Sequence, residues 1–243
     1  MKTSTYWIGH FKTNAQQLRV NWEQWPAITP QEIKVILPSL QAWQLGETSE
    51  GKHLLAAATL YANKVDDPGY IEAVKLFIKE EQKHGNNLGK YIDAIGKKRI
   101  RHNWGDSLFR QIRYFNTNME IWTLAVIVVE STAQIFYQAL KDATNCNLLK
   151  EICTDILIDE AYHITFQTER LAIIYSGKNA FSRTWRKTAY KYFFYGTACV
   201  VWFAHSRLFK AGGNTLSGYL KKMRLKYVKT LETITGNALA QLA

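Results

Sequence analysis

Two Glu-x-x-His pairs constrain the fold of this chain more than any other feature. Glu81 and His84 form the first pair, and Glu160 and His163 form the second. Residues three apart lie on the same face of a helix, so both members of each pair can point inward together. A single glutamate precedes each pair by nearly the same number of residues: Glu50 precedes the first pair, and Glu130 precedes the second. The pattern predicts two similar helical hairpins.

Hydrophobic periodicity and helix-breaking residues predict an all-α fold. The expected long helices are A (39–64), B (69–95), C (117–143) and D (148–176), followed by helices at 180–210 and 215–235. Helices A–B and C–D form the hairpins, and a longer link containing Gly105 and Asp106 joins them. This order predicts a four-helix bundle with one crossover, spanning residues 39–176. Residues 1–38 are expected to form an N-terminal cap with short helices at 11–22 and 30–36. The additional C-terminal helices complete a single domain, 1–243.

The depth of each acidic side chain in the bundle can be estimated, because a helix rises about 1.5 Å per residue. Measured from the turn of its hairpin, each lone glutamate and each pair reaches a similar level. Four carboxylates in an apolar core are costly without positive charge, and two divalent cations would supply it. Such a ligand set suits iron or manganese better than structural zinc. The predicted ligands are Glu50, Glu81, His84, Glu130, Glu160 and His163.

Several neighbouring residues have alternative interpretations. Glu47 shares the inward face of helix A, so it could replace Glu50 as a ligand or lie just outside the ligand set. Glu80 and Asp159 are predicted to accept a hydrogen bond from the histidine of the opposite helix. Plain surface charge is the alternative for both. The side chains that share the face of Glu130 form either a candidate pocket wall or ordinary core. They are Thr123, Val126, Ile127, Ala133, Gln134 and Tyr137.

The net charge of +11 indicates an acidic partner or simply solvated helix faces. Basic residues cluster at 97–102, 183–191 and 221–229. An acyl carrier protein or anionic lipid fits this charge, and nucleic acid ranks last because no nucleic-acid-binding motif accompanies it. The apolar stretch 193–204 is expected to pack on the bundle, with a dimer interface or a membrane surface as alternatives.

Cellular location is predicted from features that the sequence lacks. No run of apolar residues is long enough for a membrane span, and the N-terminus has no apolar signal region. The three cysteines form no CxxC motif. A soluble cytoplasmic protein is therefore expected.

Residues 40–176 resemble the ferritin-like di-iron carboxylate superfamily. DEAYHITFQ (159–167) and VIVVESTAQIFY (126–137) are most similar to the aldehyde-deformylating oxygenases, and LGETSEGKHLLAAATLYA (45–62) resembles uncharacterised bacterial ferritin-like proteins. The resemblance implies two iron ions, or iron with manganese, that activate dioxygen to oxidise a small, hydrophobic or acyl-type substrate. It also implies an external electron donor such as a ferredoxin or a reductase.

Other functions remain open at this point. A ferroxidase or iron-handling protein would use the same ligands. A tRNA-modifying di-iron hydroxylase is a third function, and only the positive charge suggests it. The last alternative is a protein that has kept the di-metal fold as an interaction module. The sequence does not determine the oligomeric state, and a homodimer is one option.

Overall fold

The structure, a computed structural model, describes residues 1–105, 107 and 118–240. These residues contain eight long helices and no strand, so the prediction of an all-α fold is confirmed. The helices are α1 (Ser4–Asn14), α2 (Pro30–Glu47), α3 (Lys52–Val65), α4 (Pro68–Ala94), α5 (Met119–Asp142), α6 (Asn147–Ser176), α7 (Ala180–Ala211) and α8 (Leu216–Ala240). The part of the predicted crossover at 106 and 108–116, which includes Asp106, lies outside the described residues.

Helices α2 to α6 build the bundle. Helices α5 and α6 pack along each other, and α4 contacts α2, α3 and α6. The remaining helices cover this bundle from outside: α1 packs on α4, α7 packs on α5 and α2, and α8 packs on α6. Helices α2 and α3 together therefore occupy the position predicted for helix A.

The prediction of one continuous helix A over 39–64 is wrong. Helix α2 already begins at Pro30, because Thr29 and Glu32 form a reciprocal capping box and proline is favoured in the first turn. It continues through Pro38, whose exposed position leaves the unpaired carbonyl one turn earlier accessible to water. The helix ends at Glu47, and Gly51, at φ +64°, starts α3 after a short break. Left-handed backbone of this kind favours glycine.

The predicted helix at 11–22 is also misplaced. Helix α1 spans Ser4–Asn14, and the Thr3 side chain caps its first turn by accepting a hydrogen bond from the Tyr6 amide. Trp7 and Phe11, four residues apart, bury the same face of α1 against the bundle. Helix α1 therefore brings its last residue, Asn14, to the level of the Glu-x-x-His pairs.

Two apolar layers of the core enclose a polar layer. Phe77 on α4 and Phe166 on α6 belong to one apolar cluster. Leu88 on α4 and Ile156 on α6 belong to the other. Both Glu-x-x-His pairs lie between these positions along their helices, so the fold places them at one depth.

Helix α5 is, by length and composition, apolar enough to cross a membrane. However, 72% of its most apolar window is buried inside the protein. Its apolar character is therefore that of a central bundle helix, which packs on several neighbours at once.

Candidate metal centre

Six acidic and histidine side chains converge between α2, α4, α5 and α6. They form two overlapping groups, and within each group one potential ligand atom per residue lies within 4.8 Å of the others. The first group is Glu47, Glu81, His84 and Glu160, and the second is Glu81, Glu130, Glu160 and His163. We call these six residues the carboxylate–histidine cluster. It contains five of the six side chains predicted as ligands.

The sixth predicted ligand, Glu50, lies outside the cluster, and Glu47 takes its place. Glu50 sits in the break between α2 and α3, where its side chain is 70% exposed and pairs with Lys52. Its depth was predicted from an uninterrupted helix, and the break invalidates that estimate. Gly85 on α4 allows the end of α2 to approach, since a Cβ there would lie 3.1 Å from the Glu47 carbonyl carbon.

Several buried atoms of the cluster have no hydrogen-bond partner. They are His84 Nδ1, His163 Nδ1, Glu81 Oε1 and both side-chain oxygens of Glu160. His163 Nδ1 lies 2.7 Å from Glu81 Oε1, but the contact lacks the direction of a hydrogen bond. Unpaired polar atoms are rare in protein interiors, and here they converge on common points. The side chains present therefore fit a pair of cations.

The other nitrogen of each histidine is held by a carboxylate of the opposite helix. His84 Nε2 lies 3.0 Å from Asp159 Oδ2, and His163 Nε2 lies 2.7 Å from Glu80 Oε2. A carboxylate accepts a proton donated by Nε2, so Nδ1 is the nitrogen that can offer a lone pair to a metal ion when the imidazole is neutral. Both Nδ1 atoms face the cluster, as ligation requires. Glu80 and Asp159 thus adopt the crossed arrangement that the sequence analysis describes.

Helix α1 and the residues after it close the histidine side of the cluster. The Asn14 side-chain amide donates to Glu80 Oε1 at 2.5 Å and to Asp159 Oδ1 at 2.8 Å. One amide nitrogen therefore connects the carboxylates that hold both histidines. Arg19 pairs with Asp155 and Asp159 at 2.6 and 2.8 Å. Sequence analysis missed Asn14 and Arg19, because no local pattern indicates these long-range contacts.

Two aromatic side chains orient Glu47. The Trp43 indole nitrogen and the Tyr137 hydroxyl both donate to Glu47 Oε1, at 2.9 and 2.7 Å. Glu47 also belongs to the first group of the cluster, so its carboxylate can offer a ligand atom. Trp43 also stacks on Phe136, which fixes the indole in place. Glu47 is therefore held in one orientation at the end of α2.

Burial and mutual repulsion perturb the ionisation of the cluster. Burial, together with Glu81 and Glu160, raises the pKa of Glu47 well above its usual value. Burial and the same two neighbours raise the pKa of Glu130. Glu81 differs, because the nearby His163 and His84 outweigh the effect of burial and lower its pKa to about 2. Without added positive charge, the four carboxylates cannot all be ionised at low cost.

A cavity of about 260 Å³ adjoins three of the cluster carboxylates. Glu47, Glu81 and Glu130 contribute to its wall, and the Glu81 side chain is 19% exposed. The rest of the lining is mainly apolar and comes from α2, α3, α4, α5 and α7, from the break between α2 and α3, and from residues 103–105. It includes Trp43, Leu54, Phe77, Trp122, Val129 and Val201. The cavity can therefore hold an apolar molecule directly beside the acidic groups.

Of the six side chains predicted as a pocket wall, Val126 lines this cavity, Ala133 is buried in the core, and the other four lie elsewhere. The Thr123 hydroxyl donates to the Met119 carbonyl, Ile127 is fully buried in the core, and Gln134 accepts from Lys226 on α8. The remaining residue, Tyr137, donates to Glu47. The prediction selected the correct helix and one correct wall residue. Beside Val126 and Glu130, helix α5 also presents Trp122, Ala125 and Val129 to the cavity.

Comparison with known proteins gives matches among solved structures only. No protein-family model matches the chain, and no curated protein is significantly similar to it. One matching structure is a variant of an R2-like ligand-binding oxidase with an aerobically reconstituted Fe/Fe cofactor. Its TM-score is 0.65 at 15% identity, over 97% of this chain and 93% of that one. Another R2-like ligand-binding oxidase variant, with an anaerobically reconstituted Mn/Fe cofactor, has a TM-score of 0.63 at 16% identity, over 98% and 93% of the two chains. The chain thus has the ferritin-like fold of the R2-like ligand-binding oxidases.

Proposed function

We propose that this protein is a di-metal oxidase or oxygenase that activates dioxygen and oxidises a small hydrophobic substrate. The observation that carries the proposal is the set of unpaired, buried nitrogen and oxygen atoms in the carboxylate–histidine cluster. The solved structures of the same fold have Fe/Fe or Mn/Fe cofactors, which supports the same cofactor types here.

The two groups of the cluster assign the ligands. His84 and Glu47 would bind one ion, and His163 and Glu130 would bind the other. Glu81 and Glu160 belong to both groups, so each could contribute a ligand atom to either ion. Two iron ions, or one iron and one manganese, would supply the electrons and the open coordination positions for dioxygen chemistry.

The chain's own residues would control the ligand set. Asp159 and Glu80 keep the Nε2 protons of the two histidines, so that both Nδ1 lone pairs remain directed inward. The Tyr137 hydroxyl keeps a proton at Glu47 Oε1. Burial and the nearby Glu47 raise the pKa of Tyr137, so this proton stays on the phenol at neutral pH.

The cavity supports the proposal that the substrate is hydrophobic. Its apolar lining favours an apolar or acyl-type molecule, and its contact with Glu47, Glu81 and Glu130 places that molecule beside the cluster. A ferroxidase requires no such cavity, so this observation favours substrate oxidation over iron handling.

Electrons would come from a ferredoxin or a reductase, in a cytoplasmic setting. A tRNA substrate is less well supported, because the described cavity is small and mainly apolar. An acyl carrier protein would be a route for delivering an acyl substrate, and a homodimer would be compatible with the fold.

Metal analysis of single variants tests the ligand assignment. After anaerobic loading with Fe(II), the wild-type chain is expected to hold two ions. Glu130→Ala and His163→Ala remove ligands and should each lower this number. Glu47→Ala should do the same, because Glu47 belongs to the first group.

Glu50→Ala is the matched control, since Glu50 is also a glutamate near the end of α2 but lies outside the cluster. It should retain two ions. Retention of both ions by Glu130→Ala and His163→Ala would refute the metal centre. Loss of ions in Glu50→Ala but not in Glu47→Ala would refute only the assignment of Glu47. Oxygen uptake that increases with an added apolar aldehyde or fatty acid would support substrate oxidation, and iron storage without such uptake would support a ferroxidase.

A further inference from the structure

The C-terminal hairpin of α7 and α8 accounts for the whole net charge of the protein. Residues 178–240 contain twelve lysines and arginines and a single acidic residue, Glu232. The chain as a whole has a net charge of +11, so the remaining residues are balanced. The excess of positive over negative charge therefore comes from residues 178–240, whose two helices cover the bundle on one side.

Helix α7 also exposes four large aromatic side chains. Phe181, Trp185, Tyr192 and Phe203 are 85%, 67%, 74% and 71% exposed. Their spacing of four, seven and eleven residues places them along one face of the helix. We call this face the aromatic stripe. Aromatic residues of this size are usually buried, and an exposed row of them marks a surface for interaction.

We infer that α7 docks on an anionic membrane surface through the aromatic stripe. Tryptophan and tyrosine favour the interface between lipid headgroups and acyl chains, and lysine and arginine are attracted to anionic headgroups. Lys191 is exposed on the same part of α7 as the stripe, and Lys210 is exposed after a kink at His205, where φ is −121° and ψ is 19°. A helix with an apolar aromatic face and basic flanks lies in the plane of a membrane without crossing it.

Charge also argues against a second copy of the chain as the occupant. Two C-terminal hairpins facing each other would bring twelve cationic side chains against twelve, with one acidic residue on each side. Such like charges repel. An anionic surface instead complements both the charge and the aromatic side chains.

The docking also defines a route for the substrate, and this step rests on the proposed function. Val200, Val201, Ala204 and His205 of α7 line the cavity beside the cluster. Phe203, within the same turn, belongs to the aromatic stripe. A membrane-bound α7 would therefore place the cavity beside the acyl layer, from which an apolar substrate could enter without crossing water.

Vesicle co-sedimentation of the full chain tests the inference. The protein is expected to bind vesicles of phosphatidylcholine mixed with phosphatidylglycerol, to bind phosphatidylcholine alone weakly, and to dissociate as salt rises. Trp185→Ser with Tyr192→Ser should weaken binding about tenfold or more, because two interfacial aromatic side chains are lost. Lys187→Glu with Lys191→Glu should have an effect of about the same size.

Matched variants outside the hairpin are the controls. Trp25→Ser removes a side chain that is 83% exposed, and Lys97→Glu with Lys98→Glu changes the net charge equally. Both should bind vesicles like the wild type. Equal binding by hairpin and control variants, or no preference for anionic vesicles, would overturn the inference. So would a dimer that the Trp185 and Tyr192 substitutions abolish, or binding to RNA or an acidic protein without binding to vesicles. Metal content, measured on the same samples, reports on the proposed function separately.

Discussion

Replacing Asn14 by alanine should weaken both the fold and metal binding, although Asn14 is not itself a ligand. Its side chain is 7% exposed and donates to Glu80 and Asp159, which in turn hold His163 and His84. Asp159 keeps the hydrogen bond from Arg19 in the variant, whereas Glu80 Oε1 loses its donor. A hydrogen bond to a buried charged group contributes about 1.5–3 kcal/mol, so the free energy of unfolding should fall by about 2–3 kcal/mol.

The affinity for metal should fall at the same time. Loss of a group that orients a metal-binding histidine typically costs about 10–100-fold in affinity. Because Glu80 loses this donor and Asp159 keeps Arg19, the affinity of the site that contains His163 should fall more than that of the site that contains His84. Competitive titration with a chelator measures this effect, and denaturant unfolding of the metal-free chain measures stability.

Two further variants sharpen the test. Asn14→Asp has nearly the same shape but adds a third carboxylate beside Glu80 and Asp159, so it should weaken both properties further. Asn63→Ala removes an exposed asparagine from α3 and should change neither. If Asn14→Ala lowers the stability but binds both ions as tightly as the wild type, then the proposed link from α1 to the histidines is incorrect.

Three other substitutions test separate features. Gly85→Ala places a Cβ 2.8 Å from Thr48 Cγ2, which should push the end of α2 away and lower the bound metal below two ions per chain in elemental analysis. Glu32→Gln tests a capping carboxylate whose pKa is lowered from 4.5 to about 2, since hydrogen bonds from Thr29 and the Asn145 amide outweigh burial. A lowered pKa stabilises the fold above pH 4.5, and this contribution is lost as the pH falls toward 2. The variant should lose about 1–2 kcal/mol at neutral pH and show less acid dependence in unfolding experiments, whereas an unchanged dependence would contradict this role. Ala204→Trp fills the cavity from α7, so it should keep two ions but reduce binding of a fluorescent apolar probe; undiminished binding would show that the probe binds elsewhere.

Five of the six predicted ligands come together in the structure. All five lie on helices that have no break near the site. On α4, α5 and α6, spacing along the chain translates directly into depth and face, so Glu81, Glu130 and Glu160 could be selected from periodicity. Glu50 could not be rejected in the same way. The end of α2 depends on a close approach at Gly85 and on the left-handed backbone of Gly51, which are tertiary and conformational features.

Long-range contacts set a second limit on the sequence analysis. Periodicity identifies the face of a helix that is buried, but it does not identify the helix that covers that face. Thr123 and Ile127 were therefore selected as pocket residues, although the cavity lies on the side of Ala125 and Val129. Asn14 carries no local signal at all, because its partners are far away in the sequence.

The early end of α2 has an electrostatic consequence. The peptide dipoles of a helix sum to a partial negative charge at its C-terminus, and α2 ends at Glu47, inside the bundle. This negative end adds to the field of the carboxylates, which disfavours the metal-free chain and attracts cations. Ions would relieve this repulsion only in the folded chain. Metal uptake should therefore raise the temperature of unfolding, and the helix end should add to the increase that the ligand side chains bring about.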